Sequence, residues 1–225
     1  MSDPAAAPEA SVVFVTGTGT ETGKTWASAG LARQLRERGC RVAACKPIQS
    51  YDPDEGGPTD AAVLAAATGQ HPDDVCPPAR TYPVPLAPPM AALQLGEACP
   101  TLDELAGNCG FGATVDIGLV EGVGGLYSPI ASDGHNLDLI ERIEPGLVIV
   151  VASAALGGIH DSMACTLPLS AYRHAVFLNR FDPRTEVHGL NLRWLRDAGL
   201  VVAASLSELS GVVMTTLTGP NRITT

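Results

Sequence analysis

Only two lysines occur in this 225-residue chain, and each stands where a polyanion could be handled. Lys24 sits near the end of the run Gly17-Thr18-Gly19-Thr20-Glu21-Thr22-Gly23-Lys24-Thr25, and Lys46 precedes Pro47. A glycine-rich turn between a strand and a helix lets backbone N–H groups curl around phosphate oxygens. The helix N-terminus adds partial positive charge, the lysine a full charge, and the threonine a hydroxyl for Mg²⁺. Five residues separate Gly17 from Gly23-Lys24-Thr25, one more than in the general phosphate-binding pattern. A third group, Glu121, ends the apolar run Val115–Val120 and precedes Gly122-Val123-Gly124-Gly125. A carboxylate at that junction is a candidate Mg²⁺ ligand, direct or through water, and the glycines let backbone approach a ligand closely.

These groups need a scaffold that brings strand ends together. Val12–Val15 reads as a buried strand, and the segment from Trp26, with Leu31 and Leu35 four apart, as an amphipathic helix closing at Arg38-Gly39. Arg41–Cys45 reads as a second strand, so Lys46 points into the crevice beyond the carboxyl ends, where open α/β sheets bind ligands. Tyr51–Pro58 is an acidic loop, and Thr59 caps a helix over Ala61–Thr68. Residues 71–100 hold eight of the eighteen prolines, which leaves room for one short helix, Met90–Glu97, in an ordered excursion on the crevice rim. A weak helix follows at Leu102–Ala106.

Further on come a helix at Leu137–Ile143, a strand at Leu147–Val151, and Leu156-Gly157-Gly158-Ile159 leading into a helix ended by Pro168. A strand at His174–Leu178 closes on Asn179, then a helix spans Thr185–Ala198 and a last strand Leu200–Ala204. Alternation of strands and helices predicts an α/β fold, a single doubly wound, mostly parallel sheet of six or seven strands with helices on both faces. Residues 1–10 read as a disordered tail and 11–225 as one domain, its last fifteen or so residues a weakly structured tail.

Composition narrows the function classes. The net charge of −10 argues against nucleic acid or an anionic membrane as partner, and no apolar run is long enough to span a bilayer. Six cysteines without a Cys-x-x-Cys pair read as reduced thiols of a cytoplasmic protein.

The long-spaced loop, Lys46-Pro47, Thr59-Asp60-Ala61 and Glu121-Gly122-Val123-Gly124-Gly125, in this order, resemble dethiobiotin synthetase over roughly Val12–Ala204. The resemblance implies a P-loop NTPase-like fold and a homodimeric, ATP- and Mg²⁺-dependent ligase. Such an enzyme closes a cyclic urea on a small-molecule diamine, 7,8-diaminopelargonate, with CO₂. It implies an ATP-binding set of Gly17, Thr18, Gly19, Thr20, Glu21, Thr22, Gly23, Lys24, Thr25 and the adenine-reading Asn179. Thr25, Asp60 and Glu121 would share Mg²⁺, and Lys24, Lys46, Thr20, Glu21 and Ser50 would carry catalysis. Lys46, Ser50, Gly122, Val123, Gly124 and His160 would meet the substrate.

The chain also departs from that pattern. His160-Asp161 stands where the family carries Asn-His at a helix start that binds the substrate carboxylate across the dimer. Pro89-Met90 replaces Pro-His, and Ser205-Leu206 replaces Ile-Pro. The same ATP chemistry on another diamine is therefore an alternative. A partitioning-type switch ATPase is a weaker one, because its additional loop lysine would fall at Gly19.

Overall fold

The structure, a computed structural model, describes residues 10–218. The tail expected over residues 1–10 thus falls, Ala10 apart, outside the described residues, as do residues 219–225. Six strands build the central sheet: β1 (Ser11–Gly17), β2 (Val42–Cys45), β5 (Ile117–Glu121), β8 (Leu147–Ser153), β9 (His174–Asn179) and β10 (Val202–Ala203). Between β2 and β5 lie the two-residue strands β3 (Gln49–Ser50) and β4 (Thr81–Tyr82), and before β8 the strands β6 (Pro129–Ala131) and β7 (Gly134–His135). The sheet runs β10-β9-β8-β1-β5-β2, every pairing parallel, as alternation predicted. Strands buried on both faces carry apolar residues throughout, and the burial of Leu147–Ala152 without a break is the clearest case.

Helices cover both faces. The face carrying Val13, Val15, Leu119, Ile149 and Val151 packs under α1 (Lys24–Glu37) and the C-terminal helix α9 (Leu206–Thr218). The opposite face, with Phe14, Val120, Val148 and Val150, packs under α4 (Pro88–Leu95), α5 (Leu102–Ala106) and α6 (Asn136–Ile143). Beside β2 lie α2 (Asp60–Thr68) and α3 (Pro72–Val75), and near β9 lie α7 (Gly158–Thr166) and α8 (Glu186–Asp197).

Two expectations are corrected. The proline-rich excursion holds more regular structure than one helix over Met90–Glu97. It contains α3, a 3₁₀ turn at Pro78–Arg80, β4, and an α4 that starts at Pro88. Proline costs little in a first helical turn, where its missing N–H would have had no intrahelical acceptor, and the helices here begin on their prolines.

The larger correction is α9, Leu206–Thr218, which makes residues 211–218 helical where a weakly structured tail was expected. Gly211, Val212, Val213, Thr215 and Thr216 are poor helix formers, so propensity hides it. Leu206, Leu209, Val213 and Leu217 nonetheless recur at helical spacing and lie against α1 and the sheet. Leu206 comes so close that a Cβ on Gly30 would collide with it. Burial of that stripe overrides propensity.

Leu209 is 1% exposed. Leu209→Ala should therefore destabilise the protein by about 3 kcal/mol, as a buried leucine truncation does. Urea unfolding is the measurement; a loss below about 0.5 kcal/mol would mean the helix is not part of the core.

Candidate active site

Register brings the sequence-predicted groups to one level. Val15 pairs with Glu121 and Cys45 with Val120, so Lys46, Glu121 and the turn after β1 leave the sheet side by side. The turn after β1 is tied down at Thr18, whose N–H donates to Val151 O at 3.0 Å. It climbs through Glu21, at φ 58°, and ends at Gly23, at φ 88°. Helix α1 starts there with no capping side chain and no acidic residue in its first turn. Side chains cap some of the other helices, Thr59 on α2 and Thr101 with Glu104 on α5, whereas α4, α7 and α8, like α1, have none. An uncapped N-terminus with inward N–H groups and a lysine is a place for an anion.

Lys24 is not the exposed loop lysine that a glycine-rich turn suggests. It is 7% exposed, and its Nζ donates to Gly19 O at 3.0 Å. Burial, with the repulsion of Lys46, lowers its pKa to about 8, against the pull of Glu121 and Asp60. A phosphate would supply the missing counter-charge.

Lys46 and Glu121 are both almost fully enclosed. The Lys46 side chain is 2% exposed, and its Nζ meets Asp60 Oδ2 at 2.7 Å, Glu121 Oε1 at 2.8 Å and Gly122 O at 3.1 Å. Burial alone would lower its pKa, but Glu121 and Asp60 outweigh burial and hold it above the usual lysine range. Asp60 answers in kind: burial opposes its charge, yet Lys46 and the Thr25 hydroxyl hold its carboxyl below the usual carboxylate range. Thr25 Oγ1 lies 2.8 Å from both Asp60 Oδ1 and Glu121 Oε1. The hydroxyl and two carboxylates form a set of oxygen donors suited to a hard divalent cation, and Glu121 Oε2 is buried with no hydrogen-bond partner. The residues present therefore fit Mg²⁺.

A cleft of about 560 Å³ opens over these groups, lined among others by Thr20, Glu21, Lys24, Thr25, Lys46, Ser50, Asp60, Val123 and Gly124. Ser50 Oγ donates to Leu86 O at 2.6 Å, which ties β3 to the excursion. Gly122 contributes its carbonyl to Lys46. A second cleft, about 340 Å³, lies behind the loop and is lined by Gly23, Trp26, Phe177, Asn179, Arg180, Phe181 and Leu206. Gly17, Thr18, Gly19 and Thr22 form the loop between the two. His160 lies on the exposed face of α7 and lines neither cleft.

Sequence reasoning missed the residues that position others. Gln49, 3% exposed, accepts from Ala61 N at 3.0 Å and donates to Thr81 Oγ1 at 3.0 Å, which holds the start of α2 and hence Asp60. Asn136, fully buried, donates to Val123 O and Gly125 O at 2.7 Å each and shapes the turn after Glu121. A Cβ on Gly122 would collide with it. Trp26, stacked on Phe177 at 6.4 Å, walls the second cleft. None has a local signal, because each is defined by a partner distant in sequence.

Comparison with known proteins places the chain in a family. The family described as an AAA domain matches residues 11–180. FtsY, a signal recognition particle receptor from Elizabethkingia anophelis, superposes with a TM-score of 0.50 at 14% identity, covering 94% of this chain and 68% of that one. That likeness concerns the fold alone. The ATP-dependent dethiobiotin synthetase BioD of Caulobacter vibrioides is 40% identical over 153 residues, 64% of this chain and 67% of its own. The protein of the same name from Rhodopirellula baltica is 32% identical over 240 residues, 94% of this chain and 90% of its own. Identity of 32% extending over 94% of the chain leaves one conclusion: the chain belongs to the ATP-dependent dethiobiotin synthetase family.

Proposed function

We propose that the protein is an ATP- and Mg²⁺-dependent ligase that joins CO₂ to the two amines of 7,8-diaminopelargonate and closes a cyclic urea, dethiobiotin. The observation that carries this reading is Thr25 Oγ1 at 2.8 Å from both Asp60 and Glu121, with Lys46 Nζ on the same two carboxylates and an uncapped helix alongside. One amine adds to CO₂ and loses a proton, giving a carbamate. A carbamate oxygen attacks the γ-phosphorus as ADP leaves, forming a carbamic–phosphoric anhydride. The second amine attacks the carbonyl carbon, loses its proton, and expels phosphate.

Each step asks for charge neutralisation more than covalent help. Lys24 and the loop N–H groups take the β- and γ-phosphates. Lys46, fixed as an ammonium by its two carboxylates, faces the meeting point of carbamate and γ-phosphate, two anions that must approach. Thr25, Asp60 and Glu121 would hold Mg²⁺, which when bound shields phosphate charge and orients the triphosphate. Thr20, Glu21 and Ser50, on the same cleft, are assigned to the substrate amines and phosphate, with Val123 and Gly124 on the facing wall. The second cleft, beside Asn179, is assigned to the adenine.

The remaining assignments rest on exposure and composition. Leu156 and Leu167, 86% and 75% exposed at the two ends of α7, support a homodimer that covers this helix and carries His160 toward a partner's site. Six free cysteines suit a reducing cytoplasm. No helix among the described residues is long and apolar enough to cross a membrane, and the charge of −10 disfavours nucleic acid.

The direct test incubates the protein with ATP, Mg²⁺, bicarbonate and 7,8-diaminopelargonate. Mass spectrometry should find the cyclic urea together with ADP and phosphate. ATP binding without product would assign the chemistry to another diamine, the reading to which His160-Asp161 points.

Lys24→Met should lower turnover by about two orders of magnitude or more, the usual scale for such contacts. Stability should respond oppositely. The folded-state pKa is about 8, below the ordinary lysine value of 10.5, so the buried charge destabilises fully below pH 8 and not at all above 10.5. Removing it should raise, or at least not lower, the melting temperature at pH 7, a gain of up to about 3 kcal/mol. In the unaltered protein, phosphate contact favours the charged lysine, so ATP affinity should be greatest below pH 8 and weaken toward tenfold per unit above it. Affinity independent of pH from 7 to 9.5 would separate Lys24 from the phosphates.

Asp60→Asn and Glu121→Gln should each raise the Mg²⁺ concentration for half-maximal turnover by about tenfold, since each removes a formal charge from the oxygen set. Unchanged metal dependence in both would leave Thr25 Oγ1 and its two carboxylates a hydrogen-bonded cluster only.

A further inference from the structure

Asn179 is oriented by contacts that have nothing to do with a base. Its side chain, 6% exposed at the end of β9, donates from Nδ2 to Thr22 O at 2.8 Å, across the sheet into the phosphate loop. The amide cannot flip without losing a second contact, because Oδ1 accepts from Arg180 N at 2.9 Å. Arg180 stands at φ 56°, a left-handed conformation that costs a non-glycine residue about 1 kcal/mol or more. That conformation accompanies the Arg180 N–H contact to the amide oxygen. On the loop side Gly23, at φ 88°, passes so near that any Cβ there would collide with Asn179 Nδ2.

The loop has few other supports. Ahead of Thr25, which reaches Asp60 and Glu121, its remaining side-chain contacts, Thr22 Oγ1 to Gly19 O at 3.3 Å and Lys24 Nζ to Gly19 O at 3.0 Å, are internal. From outside, Thr18 N reaches Val151 O, and Asn179 alone among the described side chains is recorded bonding to the carbonyl of Thr22. A carbonyl held outward there turns the following peptides, and the N–H groups of Gly23 and Lys24 with them, toward the anion side. We infer that Asn179 is a positioning residue for the phosphate loop, latching Thr22 so that the loop is preformed for a triphosphate whatever base it carries. This rests on reading the loop as the nucleotide site and goes beyond a role in reading adenine.

The test compares the unaltered protein with Asn179→Ala and Asn179→Asp, the latter keeping an acceptor for Arg180 N–H while offering no donor to Thr22 O. Amide hydrogen exchange on the ligand-free proteins reads the loop, residues 17–25, against residues 136–143 of α6 as a control. Binding of ATP and of inorganic tripolyphosphate, both with Mg²⁺, reads the consequence. Both variants should speed loop exchange at least tenfold with α6 unchanged, and raise the Kd of ATP and of tripolyphosphate by the same factor, tenfold or more. Unchanged loop exchange overturns the latch. So does a loss confined to ATP with tripolyphosphate unaffected, which would make Asn179 a base reader alone. Should the alanine variant fail to fold, the near-isosteric aspartate decides. If the unaltered protein binds neither anion, the nucleotide reading fails, and the exchange comparison still decides the latch.

Discussion

An ammonium group with 2% of its side chain exposed, held between two carboxylates, is an expensive object to bury, and the site is built around it. Lys46 loses nearly all its hydration, and one neutralised partner, Asp60, remains partly open to solvent. Such a cluster contributes little net stability, since desolvation offsets most of the attraction, but it tolerates little displacement. Three strand ends must therefore stay in register to better than one residue. The parallel pairing of β1, β5 and β2, with Val15 opposite Glu121 and Cys45 opposite Val120, supplies that constancy from the sheet's own hydrogen bonds.

Around that point the chain divides rigid from adaptable work. Positions that define charge geometry sit on element ends: Lys46 after β2, Glu121 at the end of β5, Asp60 at the start of α2, Thr25 in the first turn of α1. Other groups lining the first cleft lie on loops and on the proline-rich excursion, which Ser50 pins through Leu86. Buried amides join the two classes. Gln49 and Asn136 hold the neighbouring backbone as ordered water might, but without exchanging.

Electrostatics explains the sparing use of lysine. In a chain of net charge −10, anionic ligands meet a repulsive far field, so attraction must be local. Both lysines are spent at the site and both are buried, where a low dielectric strengthens their interactions. Lys24 carries the cost as a depressed pKa, whereas Lys46 avoids it through its carboxylates. The two cations thus differ in kind: one is left short of counter-charge, the other already paired.

Local chemistry was legible without coordinates. The glycine-rich turn, the lysine-proline step and the carboxylate at a strand end are contiguous patterns, and strand–helix alternation is a periodicity, so the parallel sheet and most of the cation and carboxylate set could be read from residue order. Helix α9 was hidden because its residues are poor helix formers, and only the docking of Leu209, Val213 and Leu217 against α1 and the sheet makes it helical. Helix α3 and the first turn of α4 were hidden by prolines that, placed in a first turn, do no harm. What tertiary structure alone decided is which polar groups meet. Thr25 finds Asp60 and Glu121 across 35 and 96 residues, and Asn179 finds Thr22 across 157. Hydrogen bonds act over about three ångströms and carry no trace in the intervening sequence, so these pairings exist only once the sheet has set the distances.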